Sequence, residues 1–147
     1  MISKHDMKMF QTARKLAKQA NFDTFHIGCV ITYKKKIIGF GNNSKKTHPK
    51  QAKYNKYRHF NKTSKGVRHS LHAEIAAINN ISYVVGKDIN WSKVKVYVYR
   101  ISEGRASGKG MARCCPACMQ ALKDLGIQHL YYTTNKGYAY EKIDTYA

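Results

Sequence analysis

The chain has 147 residues, enough for one domain with a buried core that needs no disulfide framework. Its apolar runs are far too short to span a bilayer and its first residues are polar, so we expect a soluble, unexported, cytoplasmic protein. The formal net charge is +19, and such a surface attracts polyanions, of which nucleic acid is the usual one. Only six of the 27 basic residues are arginine, and lysine-rich composition also follows from an AT-rich genome, so charge alone leaves a binding role open.

The first half of the chain predicts a helix, a hairpin and a long loop. Ser3 and Asp6 have the spacing of a capping box and apolar residues recur at helical spacing, so residues 4–20 are predicted as an amphipathic helix. Residues 27–33 and 37–41 predict two antiparallel strands joined by a tight turn. Residues 42–68 lose this periodicity and become basic and aromatic, which predicts a long loop.

The second half predicts two more helices and two more strands. A helix capped by Ser70 is expected over residues 70–80, and strands are expected over 93–101 and 128–134. The segment 102–113 has loop composition, Pro116 suits the first position of a helix ending at Gly126, and the tail to residue 147 has no clear pattern. This order predicts a single α/β domain over residues 1–147, layered α-β-α, with helices on both faces of a mixed central sheet.

Residues 114–118, CCPAC, hold three of the four cysteines around one of the two prolines. In a reducing compartment, such a cluster is more typical of metal binding or chemistry than of a disulfide framework. Cys115 at a helix start and Cys118 one turn later can direct both sulfurs at one ion, and the positive helix end favours thiolates. Cys29, by contrast, lies in an apolar run typical of a core.

A second short motif, His72-Ala73-Glu74, complements these cysteines. Catalytic zinc takes three protein ligands, one His with two Cys being an established set, and leaves a fourth position for water. His72 would supply the third ligand, and Glu74 would lie near the fourth position. The combination H-x-E with C-x-x-C is described for zinc-dependent nucleobase deaminases.

On these motifs the sequence resembles the cytidine deaminase superfamily, which includes cytidine, deoxycytidylate, tRNA-adenosine and polynucleotide cytidine deaminases. The resemblance extends from the first helix through the strand at 128–134. It implies a Zn²⁺ ion bound by His72, Cys115 and Cys118, with Glu74 as the catalytic proton shuttle. The family's strand-end asparagine, which contacts the sugar, matches Asn43 better than Asn42. The residues expected to contact substrate are Asn43, Asn42, Ala73 and Arg113.

The sequence departs from the family pattern in two places. Cys114 stands where the family usually has proline, so a pairing of Cys114 with Cys118 stays open. Forty residues separate Glu74 from Cys115, more than in compact members, and the extra length lies in the segment 102–113. An insertion beside the metal would form one wall of the pocket and so bears on substrate identity.

The cysteine cluster has two other possible functions, and the sequence favours neither. A thioredoxin-like redox dithiol would need a later cis-proline, and no proline follows Pro116. A closed structural zinc site with Cys114 as fourth ligand would leave Glu74 without a role.

A separate hypothesis makes the loop 42–68 a nucleic-acid platform with stacking rings and phosphate-binding cations rather than a solvent-exposed loop without a binding function. Its members would be Tyr54, Tyr57, Phe60, Lys53, Lys56 and Arg58.

We therefore expect a zinc-dependent hydrolytic deaminase that converts a cytosine amine to uracil and releases ammonia. The charge favours a phosphate-bearing substrate, either a deoxycytidylate-type nucleotide or single-stranded nucleic acid, and disfavours ordered duplex, in which the target carbon lies inside the stack. A tRNA-type adenosine deaminase and a non-catalytic, zinc-stabilised nucleic-acid-binding module are the alternatives. The family's frequent self-association makes a homo-oligomer an expectation.

Overall fold

The computed structural model describes residues 2–22, 25–57, 70–81 and 88–144. The α-helices in these ranges are α1 (Lys4–Lys18), α2 (Pro49–Tyr54), α3 (Ala73–Asn79) and α4 (Pro116–Leu125). The strands are β1 (His26–Tyr33), β2 (Lys36–Asn42), β3 (Ser44–Thr47), β4 (Ser70–Leu71), β5 (Lys95–Ile101), β6 (Lys109–Gly110), β7 (His129–Thr133) and β8 (Tyr138–Lys142). No helix in these ranges is both long and apolar enough to cross a membrane.

The main sheet is mixed and has the order β2-β1-β5-β7-β8, with β6 paired to the end of β5. β1 runs antiparallel to both β2 and β5, whereas β5 and β7 are parallel. Parallel neighbours need a long crossover connection, and α4 lies within the one between β5 and β7. β3 and β4 form a separate two-stranded sheet.

Helices cover both faces of the main sheet. Alternate side chains of a strand point to opposite faces, and on β5 the buried residues of both sets are apolar or aromatic and lie under helices. On β5, Tyr97 packs in the cluster that includes Phe10 of α1. Val96 and Val98 pack in the larger cluster with α3 and α4, where Ile75 and Leu122 are fully buried. The predicted α/β, α-β-α layered fold with a mixed central sheet is confirmed.

α1 begins as predicted. The Ser3 hydroxyl accepts from the Asp6 N–H at 3.0 Å, and the Asp6 carboxylate accepts from the Ser3 N–H at 2.9 Å. The helix ends at Lys18, two residues before the predicted end at residue 20. The Asp6 carboxylate also accepts from the Tyr97 hydroxyl, at 2.5 Å, which ties the helix start to the central strand.

Four segments differ from the sequence prediction. The helix predicted over 70–80 begins only at Ala73, because Ser70 and Leu71 pair with β3 and leave His72 as the N-cap residue. The predicted loop 42–68 contains β3 and α2, which starts at Pro49 with the His48 imidazole accepting from the Lys50 N–H. Residues 58–68 of that loop lie outside the described ranges. The segment 102–113 contains the short strand β6, and the unassigned tail contains β8.

Candidate metal centre and substrate cavity

Two helix N-termini meet at the candidate metal centre. His72 is the N-cap residue of α3 and Cys115 is the N-cap residue of α4, both with extended backbone. The His72 N–H donates to the side-chain oxygen of Gln51 at 3.0 Å, and Gln51 in turn donates to Asn55 at 2.7 Å. Gln51 is fully buried. A buried amide pair from the α2 region therefore holds the backbone of a predicted metal ligand, a role that no sequence motif signalled.

The three predicted metal ligands converge. His72 Nδ1 lies 3.3 Å from Cys118 Sγ and 3.5 Å from Cys115 Sγ, and all three ligand atoms lie within 4.8 Å of one another. Ordinary zinc bond lengths in a tetrahedral arrangement put a nitrogen and a sulfur ligand about 3.6 Å apart. The spacing and the chemistry of the donors therefore fit zinc.

The pKa values of the two cysteine thiols in the metal group are shifted in opposite directions. The Cys118 thiol donates to Cys115, which together with His72 outweighs burial and lowers the pKa of Cys115 to about 4. The same hydrogen bond, with burial, raises the pKa of Cys118 well above its ordinary value. Zinc binds thiolates, so its binding here would release the Cys118 proton.

Glu74 lies in the first turn of α3 and is only 6% exposed. Burial raises the pKa of its carboxyl, with Cys115 adding to the shift and His72 and Cys114 opposing it. The opposing effect of Cys114 is a hydrogen bond between its buried thiol and the carboxylate. Cys114 therefore faces Glu74, and within the described ranges the candidate metal group holds three ligands without it. The closed four-ligand alternative is not what these residues form.

A cavity of about 410 Å³ opens from this group to the surface. His72, Glu74 and Cys115 line it together with residues of β1, β5 and the segment before α4. Met111, Ala112 and Arg113 belong to the lining, so the end of the segment 102–113 forms one wall, as expected from its position. Phe25 and Met111 are 42% and 48% exposed, which places them at the mouth.

The four predicted substrate contacts lie in different positions. Asn43 lines the cavity and is held at both ends of its amide, accepting from the Ile27 N–H at 3.0 Å and donating to the Phe25 carbonyl at 2.9 Å. Asn42 is not among the lining residues, and its amide donates to the Leu16 carbonyl of α1. Ala73 is fully buried between two lining residues, His72 and Glu74.

Arg113, the fourth, lines the cavity in a two-pronged ion pair with Glu141 of β8. Its Nε and Nη2 donate to the two carboxylate oxygens at 2.8 and 2.9 Å. A second arginine of the lining, Arg100 on β5, has its guanidinium 4.6 Å from the centre of the Phe25 ring. Arg100 and Phe25 were missed by sequence reasoning, because the pairing of a loop ring with a strand arginine appears only in the fold.

The nucleic-acid platform predicted in the loop 42–68 is described only as far as Tyr57. Tyr54 is 8% exposed and donates to Asp124 of α4 at 2.7 Å, so its ring is not free to stack on a base. Tyr57 is exposed, with the Lys56 ammonium 5.1 Å from its ring centre. Arg58 and Phe60 lie outside the described ranges.

Comparisons with known proteins agree with the fold and with the metal group. Residues 3–134 match the family model "Cytidine and deoxycytidylate deaminase zinc-binding region". No curated protein sequence matches the chain. A solved cytidine deaminase from Burkholderia pseudomallei is similar with a TM-score of 0.58 and 14% identity, covering 93% of this chain and 91% of that one.

A dCMP deaminase from the cyanophage S-TIM5 is similar in two crystal structures. The apo form has a TM-score of 0.57 at 16% identity and covers 91% of this chain and 86% of that one. The complex with dCMP and dUMP has a TM-score of 0.57 at 17% identity and covers 91% and 84%. The family match spans the metal group and nearly all of the described fold, and the chain belongs to the zinc-binding cytidine and deoxycytidylate deaminase family.

Proposed function

We propose that this protein hydrolyses the amine of a cytosine base carried by a phosphate-bearing substrate, with a deoxycytidylate-type nucleotide as first choice. The reaction adds water, converts cytosine to uracil and releases ammonia. The observation that carries this proposal is the position of the buried Glu74 beside three converging metal-ligand atoms at the inner end of a cavity open to solvent.

The proposed zinc ligands are His72, Cys115 and Cys118. A zinc ion held there supplies a Lewis acid that makes water nucleophilic near neutral pH. Gln51 fixes the backbone of His72, and the start of α4 fixes Cys115. The backbone of two of the three proposed ligands is therefore held by contacts with the rest of the fold.

Glu74 is proposed to transfer protons in both directions. It takes a proton from the attacking water as the oxygen adds to the carbon that bears the amine, and delivers that proton to the ring nitrogen. It then takes the second proton from the oxygen that has added and passes it to the departing amine, which leaves as ammonia, so that one carboxyl group serves as base and acid in turn. Burial favours its protonated form, which suits a group that must hold a proton between the two transfers.

Substrate contacts are proposed at Asn43, Arg113 and the backbone of Ala73. Asn43 and Arg113 line the cavity, whereas Asn42 donates to α1 and is the weaker candidate. Ala73 is the first residue of α3, where a helix leaves its N–H groups without an intrahelical acceptor. It lies between His72 and Glu74, so that N–H is proposed to meet the base.

A phosphate on the substrate is supported by charge. The net charge of +19 attracts anions, and two arginines line the cavity. The cyanophage protein of similar fold was solved with dCMP and dUMP, which supports a free nucleotide as the form of the substrate. The cavity volume of about 410 Å³ is in the range of small-molecule sites.

A substrate panel tests this proposal. Purified protein with zinc is incubated with dCMP, deoxycytidine, a single-stranded oligonucleotide containing cytosine and a tRNA stem-loop containing adenosine, and products are resolved by mass. We expect dUMP and ammonia from dCMP at the highest rate. If the protein binds nucleic acid but releases ammonia from no substrate, it is the non-catalytic module. If turnover is confined to the tRNA stem-loop, it is an adenosine deaminase.

The salt dependence of turnover separates the two phosphate-bearing substrates. Deamination of a polynucleotide should weaken steeply with salt because many counterions are released on binding, whereas a single nucleotide should show a shallow slope. The expected self-association stays a prediction, which light scattering during size-exclusion chromatography would test.

A further inference from the structure

Arg100 is held from two sides at the mouth of the cavity. On one side its guanidinium lies over the Phe25 ring, 4.6 Å from the ring centre. On the other side is Gly110 of β6, where an added Cβ would lie 3.2 Å from Arg100 Cδ and 3.3 Å from its Nε. A stacked guanidinium keeps its edge N–H groups free to donate in the plane of the stack. The side chain is therefore oriented before any ligand arrives.

The backbone around Arg100 is equally well fixed. Arg100 pairs with Gly110 across β5 and β6, and the hydroxyl of the buried Thr133 links the two. That hydroxyl accepts from the Arg100 N–H at 3.1 Å and donates to the Gly110 carbonyl at 2.7 Å. These bonds fix the Arg100 backbone near the end of β5, a strand of the main sheet, rather than in a loop.

The two arginines of the cavity differ in charge compensation. Arg113 is paired with both carboxylate oxygens of Glu141, so its charge is largely neutralised. Arg100 differs in this respect. Among the described residues, no carboxylate lies within ion-pair distance of its guanidinium, whereas Glu141 lies within that distance of Arg113. Arg100 therefore brings to the mouth of the cavity that Glu74 lines a cation that no carboxylate of the described residues compensates.

We propose that Arg100 binds the 5′-phosphate of the substrate and is the residue by which this site selects a nucleotide over the free nucleoside. The inference rests on the proposed deaminase function and names the group that determines its substrate class. A phosphate presents the paired oxygens that a planar guanidinium binds with two parallel hydrogen bonds. Arg113, already paired, contributes less to this selection.

The test compares dCMP with deoxycytidine in the wild type and in Arg100→Gln. In the wild type we expect kcat/KM for dCMP to exceed that for deoxycytidine, and in Arg100→Gln this preference falls about 10- to 100-fold, the loss expected for a charge-assisted bond. The kcat/KM for deoxycytidine should stay within about twofold, because the nucleoside offers Arg100 no anion. Lys36→Gln, which removes an exposed cation of β2 outside the cavity lining, should leave both values unchanged. An unchanged preference in Arg100→Gln overturns the proposal.

Equilibrium binding separates this inference from the proposed reaction. Dialysis against dUMP and deoxyuridine measures phosphate recognition whether or not turnover occurs, and the loss of preference in Arg100→Gln should appear there too. Equal affinities for the two ligands in the wild type refute the Arg100 proposal and leave a deaminase of nucleosides or polynucleotides standing. If dUMP binds more tightly than deoxyuridine, this preference depends on Arg100 and no substrate is deaminated, the result supports phosphate binding by Arg100 and refutes the proposed deaminase activity.

Two further variants guard against a folding artefact. Phe25→Leu removes the stacked ring but keeps the charge, and we expect a smaller loss of the dCMP preference, about two- to fivefold. Arg100→Lys keeps the charge but loses the planar fork, and should fall between wild type and Arg100→Gln. If Arg100→Gln lowers kcat/KM for a cytosine oligonucleotide but leaves kcat/KM for dCMP unchanged, Arg100 binds a backbone phosphate of the polynucleotide. That result would overturn the proposal that Arg100 selects the nucleotide.

Discussion

The metal corner (His72, Glu74, Cys115 and Cys118) and the cavity mouth (Phe25, Arg100, Met111 and Arg113) are built in different ways. The corner is formed at the N-termini of α3 and α4, where the backbone positions every side chain. The mouth is formed by exposed and half-buried side chains from different parts of the chain, with a cation on an aromatic ring and an ion pair among their contacts. The proposed reaction type thus depends on two short motifs, whereas the proposed substrate choice depends on contacts between segments that are far apart in the chain.

Removing a ligand should have the largest effect and would show whether the corner depends on its metal. In Cys118→Ser we expect zinc affinity to fall by more than about a hundredfold and deamination to disappear. Metal content after gel filtration and the rate of ammonia release measure the two effects. Cys29→Ala is the matched control, because Cys29 is equally buried but is not in the ligand group, and it should keep stoichiometric zinc. Stoichiometric zinc in Cys118→Ser would remove this residue from the site.

Replacing the proposed proton carrier should stop the reaction without emptying the corner. Glu74→Gln keeps the size of the side chain but cannot accept the proton from water, so we expect turnover to fall by about 10²- to 10⁴-fold. Zinc content and the affinity for dUMP should be close to those of the wild type. A variant that deaminates dCMP at the parent rate would refute the assigned role of Glu74.

The corner could be predicted from the sequence because its chemistry lies in two short motifs. The spacing of Cys115 and Cys118 follows from one helical turn, His72 completes a known set of zinc ligands, and Glu74 lies two residues from His72. The start of α3 is predicted at Ser70, three residues before the observed start at Ala73. The difference arises because the β3–β4 pairing, which leaves His72 as the N-cap residue, joins segments far apart in the chain. The placement of Arg100 beside Phe25 was beyond reach for the same reason. Gln51, buried below His72, looked like one more polar loop residue.

One glycine substitution behind α3 and one in the segment that leads to the cavity wall compare how tightly the two places are packed. Gly41 of β2 lies against α3, and an added Cβ would lie 2.7 Å from both Ala76 Cβ and the Ala77 nitrogen. We expect Gly41→Ala to cost about 1–3 kcal/mol of unfolding free energy because α3 must move away from the sheet. Gly104→Ala, in the segment leading to the cavity wall, has no atom within 4 Å of the new Cβ and should change stability by less than about 0.5 kcal/mol. Denaturant unfolding measures both, and equal values would refute the contrast.

The smallest expected effect concerns the ion pair at the mouth. The hydrogen bond from Arg113 outweighs burial and lowers the pKa of Glu141 below its ordinary 4.5, so the carboxylate is charged near neutral pH. Glu141→Gln should free the Arg113 charge and lower KM for dCMP about two- to fivefold, with kcat unchanged. The side chains are 52% and 30% exposed, so stability should change by less than about 1 kcal/mol.

Glu103→Gln is the control for this last variant, because it removes an exposed carboxylate that does not line the cavity. It makes the same change in net charge, so a similar drop in KM would show that the overall field, not Arg113, attracts the phosphate. An effect specific to Glu141→Gln would instead show that Glu141 restrains a second cation beside Arg100. A lower KM for deoxycytidine as well would contradict both accounts, because a nucleoside carries no phosphate for either arginine to bind. The mouth would then act on the base or sugar, and its separation from the corner would be incomplete.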